Sequence, residues 1–402
     1  MPRGAARGVG ETLCLSARRC EAPANQWHDG CSADGKRRGS LTHPDQRSHR
    51  AMRISKRERL AGMLDRSGSL RAVLRMGVPW LTILTYHRFP ERDGDEPFDD
   101  GVIDTTRGEF ERQIAYVKKH CTVVGVDELC AFAAGAKLPR NPVAIAFDDG
   151  YLGNYEEALP ILKRHDCRAI FFVSTSFITE RRVYWWDRVA YVMKTSPRRE
   201  IVLEYPFFVR LDLTGPRDAA IRHILRIIKT HRSLDIERFL NHLSAVAKVP
   251  WSAPEDRRFA DRLLMTWDHI RALKKAGMDV QSHTRTHRVL QTLTRDELAD
   301  ELIGSRDDLR RELGDPVRAL AYPVGQPLGS DSPIRAALQK FGYEIGLTNG
   351  TGPTSLRRPV DNFDICRQTV ERNFSEALFS TMLALPRLGP RHPWQLPANV
   401  VR

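Results

Sequence analysis

From Pro79 onward, short aliphatic runs alternate with stretches of helical periodicity, and this alternation constrains the fold more than any other feature of the chain. Strands are expected at LTILTY (81–86), TVVGV (122–126), VAIAF (143–147), AIFFVS (169–174), MDVQS (278–282), ALAY (319–322), EIGLT (344–348) and DICRQTV (364–370). Between them, residues 109–120, 155–165, 268–277, 295–313 and 334–342 repeat apolar positions at helical spacing. Parallel strands need crossover connections of about this size, so the chain reads as α/β with a parallel sheet. Counting strands does not separate a closed barrel from an open sheet. One region, 180–262, breaks the rhythm: RRVYWWDRVAYVMK, a β-like REIVLEYPFF and further helical patterns read as an inserted, mainly helical subdomain.

The flanks differ in character. Residues 1–51 are rich in Gly, Arg, Ser and Ala without an apolar period, and are expected to be disordered. Residues 52–78 form a basic amphipathic segment, broken at Ser67-Gly68, that either caps the main domain or makes peripheral membrane contact through 52–76. Residues 386–402 read as a C-terminal tail. No run approaches the roughly 20 apolar residues of a membrane span, and no apolar segment follows Arg3 and Arg7 as a secretory signal would require. The expected location is cytoplasmic, with membrane association as an option. The net charge of +13 suggests an anionic neighbour. The basic residues are dispersed, however, and no aromatic-interleaved motif accompanies them, so nucleic acid is not expected. Seven scattered cysteines without CxxC spacing argue against a disulfide framework.

Candidate chemistry begins with NPVAIAFDDGY (141–151), where Asp148 and Asp149 end an apolar strand. Paired acids before Gly150 also suit a plain solvated turn, so the pair needs partners. GMDVQSHTRTHRVL supplies them: His283 and His287 follow another strand at i and i+4. On a helix that spacing would put both imidazoles on one face, able to converge on one metal, although two exposed helix histidines share the pattern. If the sheet closes into a barrel, strand C-termini share one face, which is where such residues would meet.

AFDDGY, SHTRTH and LAYPVG together resemble the first three motifs of the polysaccharide deacetylase family, the NodB-homology domain of carbohydrate esterase family 4. The resemblance covers roughly residues 80–385 apart from the insertion. It implies a distorted (β/α)7 barrel of the NodB type and a hydrolase that removes N-acetyl or O-acetyl groups from a carbohydrate. The implied partner is an N-acetylhexosamine-containing polysaccharide, glycolipid or precursor. Asp149, His283 and His287 would hold a divalent metal, usually Zn²⁺, with Asp148 as general base and the backbone N–H of Val324 as oxyanion donor.

Two departures stand out. Where the family's third motif commonly carries an Arg that pairs with the base, this chain has Ala321, and Arg318 or Arg367 would have to supply the guanidinium. Where the family's last motif brings an acid histidine, this chain has Asn349; His87 in LTYHRF is another histidine on the expected face, unless it is a structural residue of the barrel mouth. These departures keep a catalytically impaired, carbohydrate-binding relative as the alternative. A non-haem iron oxygenase, which also uses two histidines and a carboxylate, conflicts with the α/β rhythm. Trp185 and Trp186 either line a sugar platform or fill the core of the insertion.

Overall fold

A computed structural model describes residues 56–90, 97–329, 332–349, 353–372 and 374–388. The 1–51 segment and all but the start of the 386–402 tail lie outside these residues. Among the described residues, seven strands lie side by side, parallel and in chain order, while Thr122–Val123 pairs parallel onto the start of the second of them. They are β1 (Trp80–Tyr86), β2 (Pro142–Phe147), β3 (Ile170–Val173), β4 (Asp279–Ser282), β5 (Ala319–Ala321), β6 (Ile345–Thr348) and β7 (Ile365–Cys366). One residue beyond β7, β8 (Gln368–Thr369) pairs back onto β1, with Leu84 opposite Gln368. The segment around Arg367 therefore joins the last strand to the first, and the sheet is a nearly closed barrel ringed by helices.

The barrel follows from strands that are apolar on both faces. Alternate residues serve two cores. Ile83, Ala144, Ala146, Phe172, Ala321 and Leu347 belong to an inner one, which Leu129 and Phe132 of helix Val126–Ala133 also enter. Val143, Ile145, Phe147, Phe171 and Leu320 belong to the outer core against the surrounding helices. Asp127 of helix Val126–Ala133 meets Arg318, the residue before β5, so this helix covers the end where the strands begin. The opposite end is left for chemistry.

Residues 180–262 contain helices Trp185–Thr195, Asp218–Thr230 and Ile236–Ala247 and an antiparallel pair, Glu200–Leu203 with Val209–Asp212. Helix Ala253–Leu263 then leads back to the barrel. The basic segment forms two helices, Lys56–Arg66 and Ser69–Met76, separated at Gly68, whose φ of 74° a side chain would resist. Leu70 and Leu74 enter the outer core, and the pair packs against helix Glu376–Ala384, while Leu60, Met63 and Met76 stay exposed. No described helix is long and apolar enough to cross a membrane. Cys121, Cys130 and Cys167 are free thiols.

Candidate active site

Asp148 and Asp149 follow β2, His283 follows β4 and Val324 follows β5, so all sit at the barrel end where strands finish. They line a single cavity of about 600 Å³ together with His287, with His87 after β1, and with Arg367 between β7 and β8.

Asp149 Oδ1 lies 3.5 Å from Nε2 of His283 and 3.5 Å from Nε2 of His287. All three residues are buried, and this oxygen has no hydrogen-bond partner. The helical spacing expected of His283 and His287 is not what unites them. Residues 283–289 form a loop in which Thr284 and His287 take φ of 64° and 53°. Glu301 shapes that loop: its Oε2 accepts the backbone N–H of Arg285 and of Thr286 at 2.8 Å each, and its Oε1 accepts the Thr286 hydroxyl. The His287 N–H donates to Thr284 Oγ1 at 3.1 Å. Glu301 reaches the loop from a π-helical turn, Asp300–Gly304, that interrupts the long helix expected over 295–313. Such turns are often found at functional sites.

The donor set fits a divalent cation. Ligand atoms held about 2.1 Å from a tetrahedral metal stand about 3.4 Å apart, close to the separations found here. Burial lowers the His283 pKa to about 4 and holds His287 well below its ordinary value, so both rings are neutral and offer lone pairs. His283 Nδ1–H donates to the Ala321 carbonyl at 2.8 Å, which leaves Nε2 unprotonated towards Asp149. Burial, reinforced by Asp148, pushes the Asp149 carboxyl up to about 8. His87 offsets this burial only in part, and a cation at Oδ1 would stabilise the ionised carboxylate.

Asp148 has different company. Arg367 Nη1 donates to its Oδ1 at 2.7 Å, while Oδ2 faces Nε2 of His283 at 3.7 Å and of His87 at 3.8 Å. Burial raises its pKa, but Arg367, His283 and His87 outweigh that and hold it below the ordinary carboxylate value. Of the two arginines considered from the sequence, Arg367 makes the pair. Arg318 stands before β5, at the far end of the barrel, and bonds Glu344 and Asp127.

His87 is tied to Asp104, whose Oδ2 lies 3.0 Å from Nδ1 and also accepts the His87 backbone N–H. Burial pulls the imidazole down, but Asp104, Asp148 and Asp149 overcome it and raise the pKa to about 9. The ring is thus an imidazolium with Nε2–H towards Asp148. Asp104 was not singled out from the sequence, since a loop residue without periodicity gives no signal.

Val324 lines the cavity with φ of 65°, an outlier for a β-branched residue and a conformation that tends to persist at functional sites. The next residue, Gly325, has φ of 69°, and a Cβ there would lie 2.5 Å from the Asn349 side chain. Asn349 lines the same cavity. Trp185 and Trp186 are almost fully buried and also line it. The Trp186 ring stacks on Tyr184 at 4.3 Å and packs on His287 at 4.4 Å, while its Nε1 donates to Tyr151 Oη. These tryptophans are core residues that back His287, and no open aromatic platform is formed.

The sequence model of the polysaccharide deacetylase family matches residues 135–204 and 215–346, half of the chain. The match includes Asp148, Asp149, His283, His287 and Val324 and leaves out His87, Asp104 and Arg367. No curated protein sequence matches. Among solved structures, the deacetylase PplD of Streptococcus pyogenes is 20% identical with a TM-score of 0.49, over 76% of this chain and 99% of that one. IcaB from Ammonifex degensii is 18% identical with a TM-score of 0.46, over 77% and 97%.

Proposed function

Because the chain belongs to the polysaccharide deacetylase family, we propose that it hydrolyses N-acetyl or O-acetyl groups on a carbohydrate, using a divalent cation held by Asp149, His283 and His287. The observation that carries this reading is the buried, unpartnered Asp149 Oδ1 facing two imidazole Nε2 atoms. Zn²⁺ suits two imidazoles and a carboxylate, which leave room for water and substrate. When bound, the cation would polarise the acetyl carbonyl and acidify a water molecule.

The chain's own groups then divide the proton work. Asp148 Oδ2 takes the proton of the attacking water, while Arg367 on Oδ1 fixes the carboxylate and keeps it ionised. The Val324 N–H donates to the oxygen that gains charge. His87 gives its Nε2 proton to the departing amine or alcohol, and Asp104 holds the ring in place. This gives Asn349 no proton to supply and removes the motive for a catalytically impaired relative. The substrate class we favour is an N-acetylhexosamine-containing polysaccharide, glycolipid or precursor.

The deciding experiment is acetate release from a panel of N- and O-acetylated glycans by metal-loaded, chelated and re-metallated protein, with metal content measured alongside. Release that disappears on chelation and returns with Zn²⁺ is expected. Acetate release unaffected by removal of all metal would overturn the reading.

A further inference from the structure

One wall of the cavity comes from the insertion. Helix Asp218–Thr230 buries Ile221, Ile224, Ile227 and Ile228, and it turns Arg222, Leu225, Arg226 and Lys229 to the cavity that contains Asp149, His283 and His287. Arg222, Arg226 and Lys229 stand at i, i+4 and i+7, a row of cations roughly 10 Å long. None of the three makes an ion pair or a side-chain hydrogen bond with another described residue.

Several other cations of the insertion do have partners. Arg182 and Arg188 are paired with Glu237, and Arg217 donates to the carbonyls of Met193 and Ser196. Like charges at i and i+4 destabilise a helix, and burial lowers the pKa of the Lys229 ammonium, offset only in part by Asp99 and Asp149. Among the described residues, no acid of the cavity forms an ion pair with the row. Asp148 is taken by Arg367, Asp104 by His87, and Asp149 by the proposed cation. Asp99 remains, with one oxygen already accepting the Gly101 N–H. The cations of the insertion wall thus face barrel-side acids that already have partners of their own.

Building on the deacetylase reading, we infer that Arg222, Arg226 and Lys229 form an anion subsite that binds a phosphate or carboxylate group carried by the substrate next to its acetylated sugar. The cavity volume suits a sugar ring together with such a group. Guanidinium forks bind either group bidentately, and the lysine adds a point charge. A row of one sign at the rim of a cleft also draws the substrate in.

The test uses the full-length, metal-loaded protein and three probes: chitotetraose, N-acetylglucosamine 1-phosphate and an N-acetylheparosan tetrasaccharide, which carries glucuronate. Binding is measured by calorimetry and turnover by acetate release, for wild type, for the exposed single variant Arg226→Gln and for the triple variant R222Q/R226Q/K229Q. Wild type is expected to prefer at least one charged probe over chitotetraose, with a preference that shrinks as salt is added. The triple variant should reduce that preference about 10- to 100-fold, and Arg226→Gln part of the way. The charged probe that is preferred identifies the substituent as phosphate or carboxylate. Equal binding of charged and neutral probes, or a preference that survives in the variants, overturns the subsite. If a charged probe binds in this way but no probe releases acetate, the subsite stands and the deacetylase reading falls. If chitotetraose releases acetate with no preference for charge, the reverse holds.

Discussion

Arg367 and Asp148 meet at the seam of the barrel, Nη1 to Oδ1 at 2.7 Å, with both side chains almost completely buried. The arginine lies between β7, which pairs with β6, and β8, which pairs with β1, so the residue that closes the sheet also sets the charge of the proposed base. Arg367→Met should leave a buried carboxylate without its counter-charge and cost about 3–5 kcal/mol at neutral pH. The sign with pH follows from Asp148, whose folded pKa is depressed. Its contribution is present above the unfolded value of about 3.9 and is lost as pH falls through the folded one. Denaturant melts should therefore show the gap between wild type and variant closing below about pH 4. A gap independent of pH would show that the arginine acts by packing alone.

The two adjacent acids should fail differently. Asp148→Asn is expected to keep the metal and lose turnover about 10²–10⁴-fold. Asp149→Asn and His283→Ala should lose metal affinity first. Metal content and acetate release measured on the same samples separate the cases. A metal-replete Asp148→Asn protein with near wild-type release would return the pair to the status of a turn containing one ligand.

How far the sequence could anticipate this arrangement depends on what each residue owes to its neighbours in the chain. The strand–helix alternation was legible because it arises from local burial, and so were Asp148, Asp149, His283 and His287, which sit directly after apolar runs. The HxxxH spacing suggested a helix, yet the convergence comes from a loop whose backbone N–H groups are held by Glu301. Glu301 itself was hidden inside what reads as one continuous helix, because a π-helical turn leaves the apolar period nearly intact. The choice between Arg318 and Arg367 needed the knowledge that one precedes its strand and the other follows it. Asp104 could be found only from the fold.

His87 should contribute to stability with the opposite pH sense from Asp148. Burial lowers its pKa, but Asp104 and the two acids prevail and raise it to about 9. A raised folded pKa contributes stability that is fully present below the unfolded value of about 6.5 and is lost as pH rises through about 9. In chelated protein, urea midpoints of wild type should fall relative to His87→Gln between those limits. The metal-loaded His87→Gln variant should retain its metal and lose turnover about 10²–10⁴-fold. Parallel midpoint curves for the two proteins would remove the imidazolium from the account.

Glu301 tests whether the loop is positioned or merely filled. The residue contacts neither substrate nor metal in the proposed site, but it fixes the turn between His283 and His287 by accepting two backbone N–H groups and one hydroxyl. Glu301→Ala removes every one of these acceptors and leaves the half-buried N–H groups of Arg285 and Thr286 without these partners. Metal affinity should fall about 10–100-fold, the usual effect of losing a group that orients ligands. Glu301→Gln is the discriminating variant. Its amide oxygen can still accept both N–H groups, and its NH₂ can donate to Thr286 Oγ1 if the hydroxyl turns, so the loop geometry survives while the charge is lost. Gln should therefore restore metal affinity to within a few-fold of wild type. If Gln were as damaging as Ala, the negative charge of Glu301 would be the essential feature. If neither variant altered metal affinity while both lowered thermal stability, Glu301 would be a packing residue and the loop would hold its shape without it.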